Sequence, residues 1–98
     1  MKVTINSVHF KADQKLEAFI TNKIEKLSIK YTEIIGAEAI LKLENTDNPE
    51  NKIAEIKVLL KGNDLFAAKQ NKTFEEAVDA VIEALKKQLE KHKAKVTK

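Results

Sequence analysis

The chain has 98 residues, 43% of them hydrophobic, and carries a formal net charge of +3 with a pI near 9.1. It is large enough for one domain with a single core and too small for two. Every one of its 18 basic side chains is lysine and it contains no cysteine, which excludes a disulfide framework and thiolate chemistry.

Residues 2–8 alternate, with Val3, Ile5 and Ser7 on one face and Lys2, Thr4 and Asn6 on the other, which predicts a strand buried on one side. Asp13 is placed to cap a helix whose apolar residues Leu16, Phe19, Ile20, Ile24, Leu27 and Tyr31 recur every three or four positions. Gly36 is expected to end this unit. A second strand over 37–44 carries Ala39, Leu41 and Leu43 on one face. The run from Asn45 to Asn51, with the only proline at Pro49, is turn chemistry, and a third strand with Ala54, Ile56, Val58 and Leu60 inward closes a hairpin. Gly62, Asn63 and Asp64 read as another turn. Residues 65–70 form a weak fourth strand, for which a Leu65/Ala67 face and a Phe66/Ala68 face are equally consistent. Thr73, with Glu76 three residues on, has the spacing of a capping box that opens a final helix over 73–98.

The order is β-α-β-β-β-α, an α+β fold. A right-handed crossover makes the first two strands parallel neighbours, the rest form an antiparallel meander, and both helices cover one face of a four-stranded mixed sheet. The other face, carrying Lys2, Thr4, Asn6, Glu38, Lys42, Glu44, Glu55 and Lys57, is expected to be wet. The expected core is Val3, Ile5, Leu16, Ile20, Ile24, Leu27, Leu41, Leu43, Ile56, Val58, Leu60, Phe74, Val78, Val81, Leu85 and Leu89.

The final helix reverses its charge. Residues 73–85 hold Glu75, Glu76, Asp79 and Glu83 and no base, whereas residues 86–98 hold lysines at 86, 87, 91, 93, 95 and 98 against Glu90 alone. This order suits the helix dipole, but the dipole acts only over the terminal turn, so the remaining lysines mark a surface for a polyanion. In the first helix Lys23, Lys26 and Lys30 form one stripe beside Phe19, extended by Lys15, with Glu17 and Glu25 away from it. In the second, Lys87 and Lys91 form a row continued by Lys95 and Lys98, with Lys86 and Lys93 on the opposite flank. Helices side by side would let the two lysine rows border a shared surface with the acids sorted away from it. The competing reading is an ordinary solvated face. Lysine lacks the planar fork that reads guanine edges, so a bound nucleic acid would be held through its backbone and shape.

Other chemistry finds little support. His9 and His92 are far apart with no metal-ligand spacing around them, Ser7 and Ser28 have no evident base, and the carboxylates are scattered. His92 continues the apolar face beyond Leu89, which fits partial packing or an RNA contact. Phe10 and Tyr31 read as core lids rather than base-stacking groups. Catalysis, a metal and a cofactor are not expected. No apolar run reaches the 18 residues of a membrane span and the N-terminus lacks the apolar stretch of a signal peptide, so the expected setting is cytoplasmic, without a membrane partner.

The segment Lys86-Lys87-Gln88-Leu89-Glu90-Lys91-His92-Lys93, preceded by Ala77-Val78-Asp79-Ala80-Val81-Ile82, resembles the final helix of the ribosome hibernation-promoting factor family, which includes the ribosome-associated translation inhibitors. The stretch from Phe19 to Leu27 is similar to its first helix, and the resemblance covers essentially the whole chain in its short form. It implies binding to the small ribosomal subunit and its rRNA, in the channel of mRNA and the A- and P-site tRNAs, by a protein that is a monomer off the ribosome and takes no small-molecule substrate. The positions it implies for rRNA contact are Lys23, Lys26, Lys87, Lys91 and Lys93, and the helix pattern read above adds Lys30, Lys86 and His92 to the expected rRNA-binding set. Three residues depart from the family pattern: Thr73 for a frequent Asp, Glu75 for a frequent aromatic and Ala84 for a frequent lysine. Nothing in the chain corresponds to the second, ribosome-pairing domain of long members, so a single ribosome-binding domain is expected. Two alternatives stay open, a general double-stranded-RNA-binding module and a small protein-interaction domain with solvated lysines. The acidic start of the last helix counts against the former.

Overall fold

The computed structural model describes the backbone of residues 1–96 and the side chains of residues 1–92. The expectations for the side chains of Lys93, Lys95 and Lys98 lie outside the described residues. The elements follow as β1 (Lys2–Val8), α1 (Gln14–Lys30), β2 (Ile34–Leu43), β3 (Lys52–Leu60), β4 (Asn63–Asn71) and α2 (Phe74–Val96). The strands lie in the order β1-β2-β3-β4, with β1 parallel to β2 and the other two pairings antiparallel. The expected β-α-β-β-β-α fold with a mixed sheet is thus present.

Local chemistry starts both helices as expected. The Asp13 carboxylate accepts from the Leu16 N–H at 2.8 Å, and the Thr73 hydroxyl accepts from the Glu76 N–H at 3.1 Å. Each satisfies one amide that a helix start leaves without an intrahelical partner. α1 packs against β1 and α2, and α2 against β3 and β4, so both helices share one sheet face. Between helices and sheet lie Ile20, Ile24, Ala39, Leu41, Ala54, Ile56, Val58, Val78, Val81, Leu85 and Leu89, all fully buried.

The core differs from expectation at its margins. Val3, Ile5, Phe74 and Leu43 are half-buried, because β1 is an edge strand and the others sit near element ends. Tyr31, Ile34, Ala37, Ala77 and Ile82 are buried as well. Phe10 stacks on Phe74 with ring centroids 4.5 Å apart, so both aromatics proposed as lids, Phe10 and Tyr31, pack inward.

Gly36 does not end the first helical unit. α1 stops at Tyr31, whose N–H donates to the Leu27 carbonyl, and β2 begins at Ile34, upstream of the expected 37. Gly36 is a sheet residue paired with Lys2, and a Cβ there would stand 3.2 Å from the Lys2 carbonyl oxygen. Its role is to admit β1 closely. The register slips between Ile34 and Gly36, leaving Ile35 bulged and 61% exposed.

The β3–β4 turn is Lys61-Gly62, with Gly62 at φ 79°, and Asn63 and Asp64 belong to β4. Pairing with β3 decides the face of β4. Leu65 lies opposite Val58 and Ala67 opposite Ile56, so these face the helices, while Phe66 stands opposite Lys57 on the open face, 53% exposed. That open face is less uniformly wet than expected, since Ile40, Ile53 and Leu59 lie half-buried among its charges. It also carries the cross-strand pairs Lys42–Glu55 at 3.0 Å and Lys57–Glu38 at 3.8 Å.

The orientation of β4 is testable with one substitution on each face. Ala67→Lys should destabilise the fold by several kcal/mol, because it buries an ammonium against Ile56, whereas Ala68→Lys should stay within about 0.5 kcal/mol of the parent. Urea denaturation of the two variants measures both.

Candidate nucleic-acid interface

The apolar stripes on α1 and α2 fix how each helix is rotated, and rotation decides which lysines meet. The seam between the helices opens into a groove of about 490 Å³ floored by Leu27 and Ile82. Lys23, Lys26 and Lys30 line it from α1, so the expected stripe is real and faces the neighbouring helix. From α2 it is Lys86 that enters this groove, together with Asp79 and Glu83.

Two expectations are corrected by this. Lys87 and Lys91 do not border the shared groove. Helical geometry sets Lys87 roughly 100° from Lys86 and about 40° from Lys91, so the Lys87/Lys91 row turns away from α1. Lys91 instead lines a second cleft, of about 320 Å³, with Asn63, Leu65, Gln88 and His92. The Gln88 amide donates to the Phe66 carbonyl at 2.8 Å and ties this flank of α2 to β4. Nor are the acids sorted away from the lysines, since Asp79, Glu83 and Glu90 stand on the α1-facing flank. Their spacing at i, i+4 and i+11, with Lys86 at i+7, is a helical row that a wheel of α2 alone would have shown.

Each of those acids is engaged. Asp79 pairs with Lys23 across the seam at 3.0 Å, Glu83 pairs with Lys86 at 3.5 Å, and Glu90 accepts from the Tyr31 hydroxyl. Lys23 also lies 5.3 Å from the centre of the Phe19 ring and Lys30 lies 5.5 Å from that of Tyr31. Neither Lys26 nor Lys30 forms an ion pair among the described residues. The groove therefore carries an excess of two positive charges, concentrated toward the end of α1.

The remaining sequence candidates fall on the other flank or outside the groove. His92 is half-buried beside Lys91. Ala84 packs against the core, and Lys91, seven residues on, occupies the same flank of α2. Glu75 is exposed in the first turn of α2. Among the described residues no three His, Cys, Asp or Glu side chains come together as metal ligands, and no helix is long and apolar enough to cross a membrane.

Two helices on one face of a mixed sheet, flanking a lysine-lined groove, define a small basic α+β domain that presents cationic helix faces. The sequence matches the family described as sigma 54 modulation protein / S30EA ribosomal protein over residues 3–97, and the chain belongs to that family. Two ribosome hibernation promoting factors of Pseudomonas putida, one from strain KT2440, are each 26% identical over 95 residues, spanning 97% of this chain and 89% of theirs. The fold is also that of a ribosomal subunit interface protein from Coxiella burnetii, with a TM-score of 0.84 at 22% identity, covering 96% of this chain and 99% of that one. The N-terminal domain of Thermus thermophilus Protein Y superposes with a TM-score of 0.80 at 18% identity, covering 94% and 99%.

The Tyr31–Glu90 contact makes a prediction about alkaline stability. The hydrogen bond to Glu90, reinforced by burial, pushes the Tyr31 phenol from its ordinary value near 10 up to about 12. The folded chain thus holds this proton more tightly than the unfolded one. The resulting stabilisation is whole below pH 10 and is lost as pH rises toward 12. Urea denaturation across that window should show a shallower decline for Tyr31→Phe than for the parent.

Proposed function

We propose that the protein silences translation by binding the small ribosomal subunit in the channel of mRNA and the A- and P-site tRNAs, with its lysine-bearing helix faces against rRNA phosphates. It acts by occupancy, as a cytoplasmic monomer that docks as one ribosome-binding domain, with no catalytic step and no cofactor. The observation that carries this reading is the interhelical groove, in which Lys26 and Lys30 stand beside Lys23 and Lys86 without a carboxylate partner among the described residues. Family membership and the names of the Pseudomonas putida relatives support it. A generic double-stranded-RNA module is disfavoured by the acidic first turn of α2, with Glu75 and Glu76 where such modules are basic.

Sedimentation with purified small subunits tests the reading. Lys26→Glu with Lys30→Glu should lower affinity by at least about tenfold, through loss and reversal of two phosphate-facing charges. Thermal stability should hardly change, because exposed lysines contribute little to folding. Lys87→Glu with Lys91→Glu should act in the same direction through the outer face of α2. Normal binding by either pair removes that face from the interface, and an equal loss of stability assigns those lysines to the fold.

The mechanism has its own signature. Inhibition in a reconstituted translation system should be reversible, stoichiometric with ribosomes and relieved by saturating initiator tRNA and mRNA. Affinity should fall with salt at a log–log slope of roughly −3 to −5, as expected for a handful of phosphate contacts. Inhibition that persists under saturating tRNA and mRNA rules out occupancy of the channel.

A further inference from the structure

The groove contains its own counter-ions. Asp79 Oδ1 lies 3.0 Å from Lys23 Nζ on the opposite helix, and Glu83 Oε1 lies 3.5 Å from Lys86 Nζ one turn along α2. The four side chains are between 39% and 69% exposed, so these pairs contribute little to folding. Their position matters more for binding. Any phosphate that reaches Lys23 or Lys86 also comes within a few ångströms of a carboxylate that the buried stripe of α2 holds in the groove wall. In the same groove Lys26 and Lys30 have no such partner among the described residues, and the next acid along this flank of α2, Glu90, is held by the Tyr31 hydroxyl. The groove therefore holds two lysines screened from within and two left open.

We infer that Asp79 and Glu83 are specificity residues, built-in competitors of phosphate that hold Lys23 and Lys86 and so make the groove reject a generic polyanion lying along it. An RNA surface that offers hydrogen-bond donors, such as 2′-hydroxyls or base amines, opposite the two carboxylates while directing phosphates to Lys26 and Lys30 escapes the penalty. Discrimination is then set by a repulsive element as much as by the attractive lysines. The identity of the favoured RNA rests on the ribosomal reading above; the counter-ion role does not.

The test compares Asp79→Asn with Glu83→Gln, combined, against the parent and against Glu17→Gln with Glu25→Gln, which changes net charge equally at exposed positions of α1 outside the groove. Two probes are titrated at fixed salt, a short duplex RNA of arbitrary sequence and purified small subunits. Removing a like charge at phosphate distance should strengthen duplex binding roughly threefold per site, or about tenfold for both, and steepen the salt slope by about one to two. Subunit binding should gain markedly less, so the ratio of subunit to duplex affinity falls. The control pair should leave that ratio near the parent's. Adding Lys23→Gln and Lys86→Gln to the groove variant should remove most of the gain, which locates it at the lysines the two acids hold.

Unchanged duplex affinity overturns the proposal, as does an equal gain in the control pair, which would make net charge the cause. Equal gains for both probes also overturn it, since the acids would then tune affinity and not selectivity. If the parent itself fails to bind subunits, the ribosomal reading falls separately. The duplex arm then decides alone, a tenfold gain sustaining the counter-ion role and no gain ending it.

Discussion

Two apolar helix stripes must be buried side by side on one face of a four-stranded sheet, and the rest of this structure follows from that requirement. Ile20, Ile24 and Leu27 on α1 and Val78, Val81, Leu85 and Leu89 on α2 are all essentially inaccessible. Each such burial is worth about 1.5–3 kcal/mol, against less than about 1 kcal/mol for an exposed ion pair. The apolar residues therefore set the rotation of each helix, and the charged ones go where that rotation carries them. Lys23, Lys26 and Lys30 turn into the seam because Ile20, Ile24 and Leu27 turn into the core. Lys86 reaches the seam, and Lys87 one residue later cannot.

The groove is fastened at both ends by contacts that are not electrostatic displays. At one end the Phe10 ring, in the segment before α1, stacks on Phe74 at the start of α2. At the other, Tyr31 caps α1 with its ring in the core and its hydroxyl on Glu90 of α2. The contacts Lys23–Asp79 and Tyr31–Glu90 show that the helices run in the same direction, with about two turns of α1 and about three of α2 between the bridges. Helices clamped this way hold lysine side chains at a set spacing even though each lysine is mobile. A chain that uses lysine alone needs such a scaffold, because an ammonium on a flexible stem supplies charge without geometry.

This arrangement makes the basic surface lopsided. α2 opens with Glu75 and Glu76, and its acids continue along the α1-facing flank, so positive charge gathers toward the C-terminal ends of both helices. The open sheet face contributes less, since Lys42 and Lys57 are paired with glutamates across the strands and half-buried aliphatics lie between them. A polyanion approaching this molecule meets attraction at one end of the helical layer. Long-range steering of that kind favours one docking orientation before any contact forms.

What the sequence determined by itself is local. Caps at Asp13 and Thr73 declare helix starts through one side chain and one amide, and the spacing of Leu16, Ile20, Ile24 and Leu27 declares a face, so element order, helix faces and most of the core were legible. The lysine stripe on α1 was legible for the same reason, and the likeness of Lys86–Lys93 to a known helix led to the family that the whole chain matches. Only the tertiary structure decided which face β4 turns inward, because residues 65–70 carry no clear alternation and their pairing with Val58 and Ile56 settles the matter. It also decided that Gly36 is a close-approach residue, since the clash it avoids is with Lys2, 34 positions away. The partner of the α1 stripe belongs to the same class. Whether Lys86 or the Lys87/Lys91 row faces it depends on how two helices are rotated against a sheet that neither specifies alone, and that rotation is fixed by shared burial.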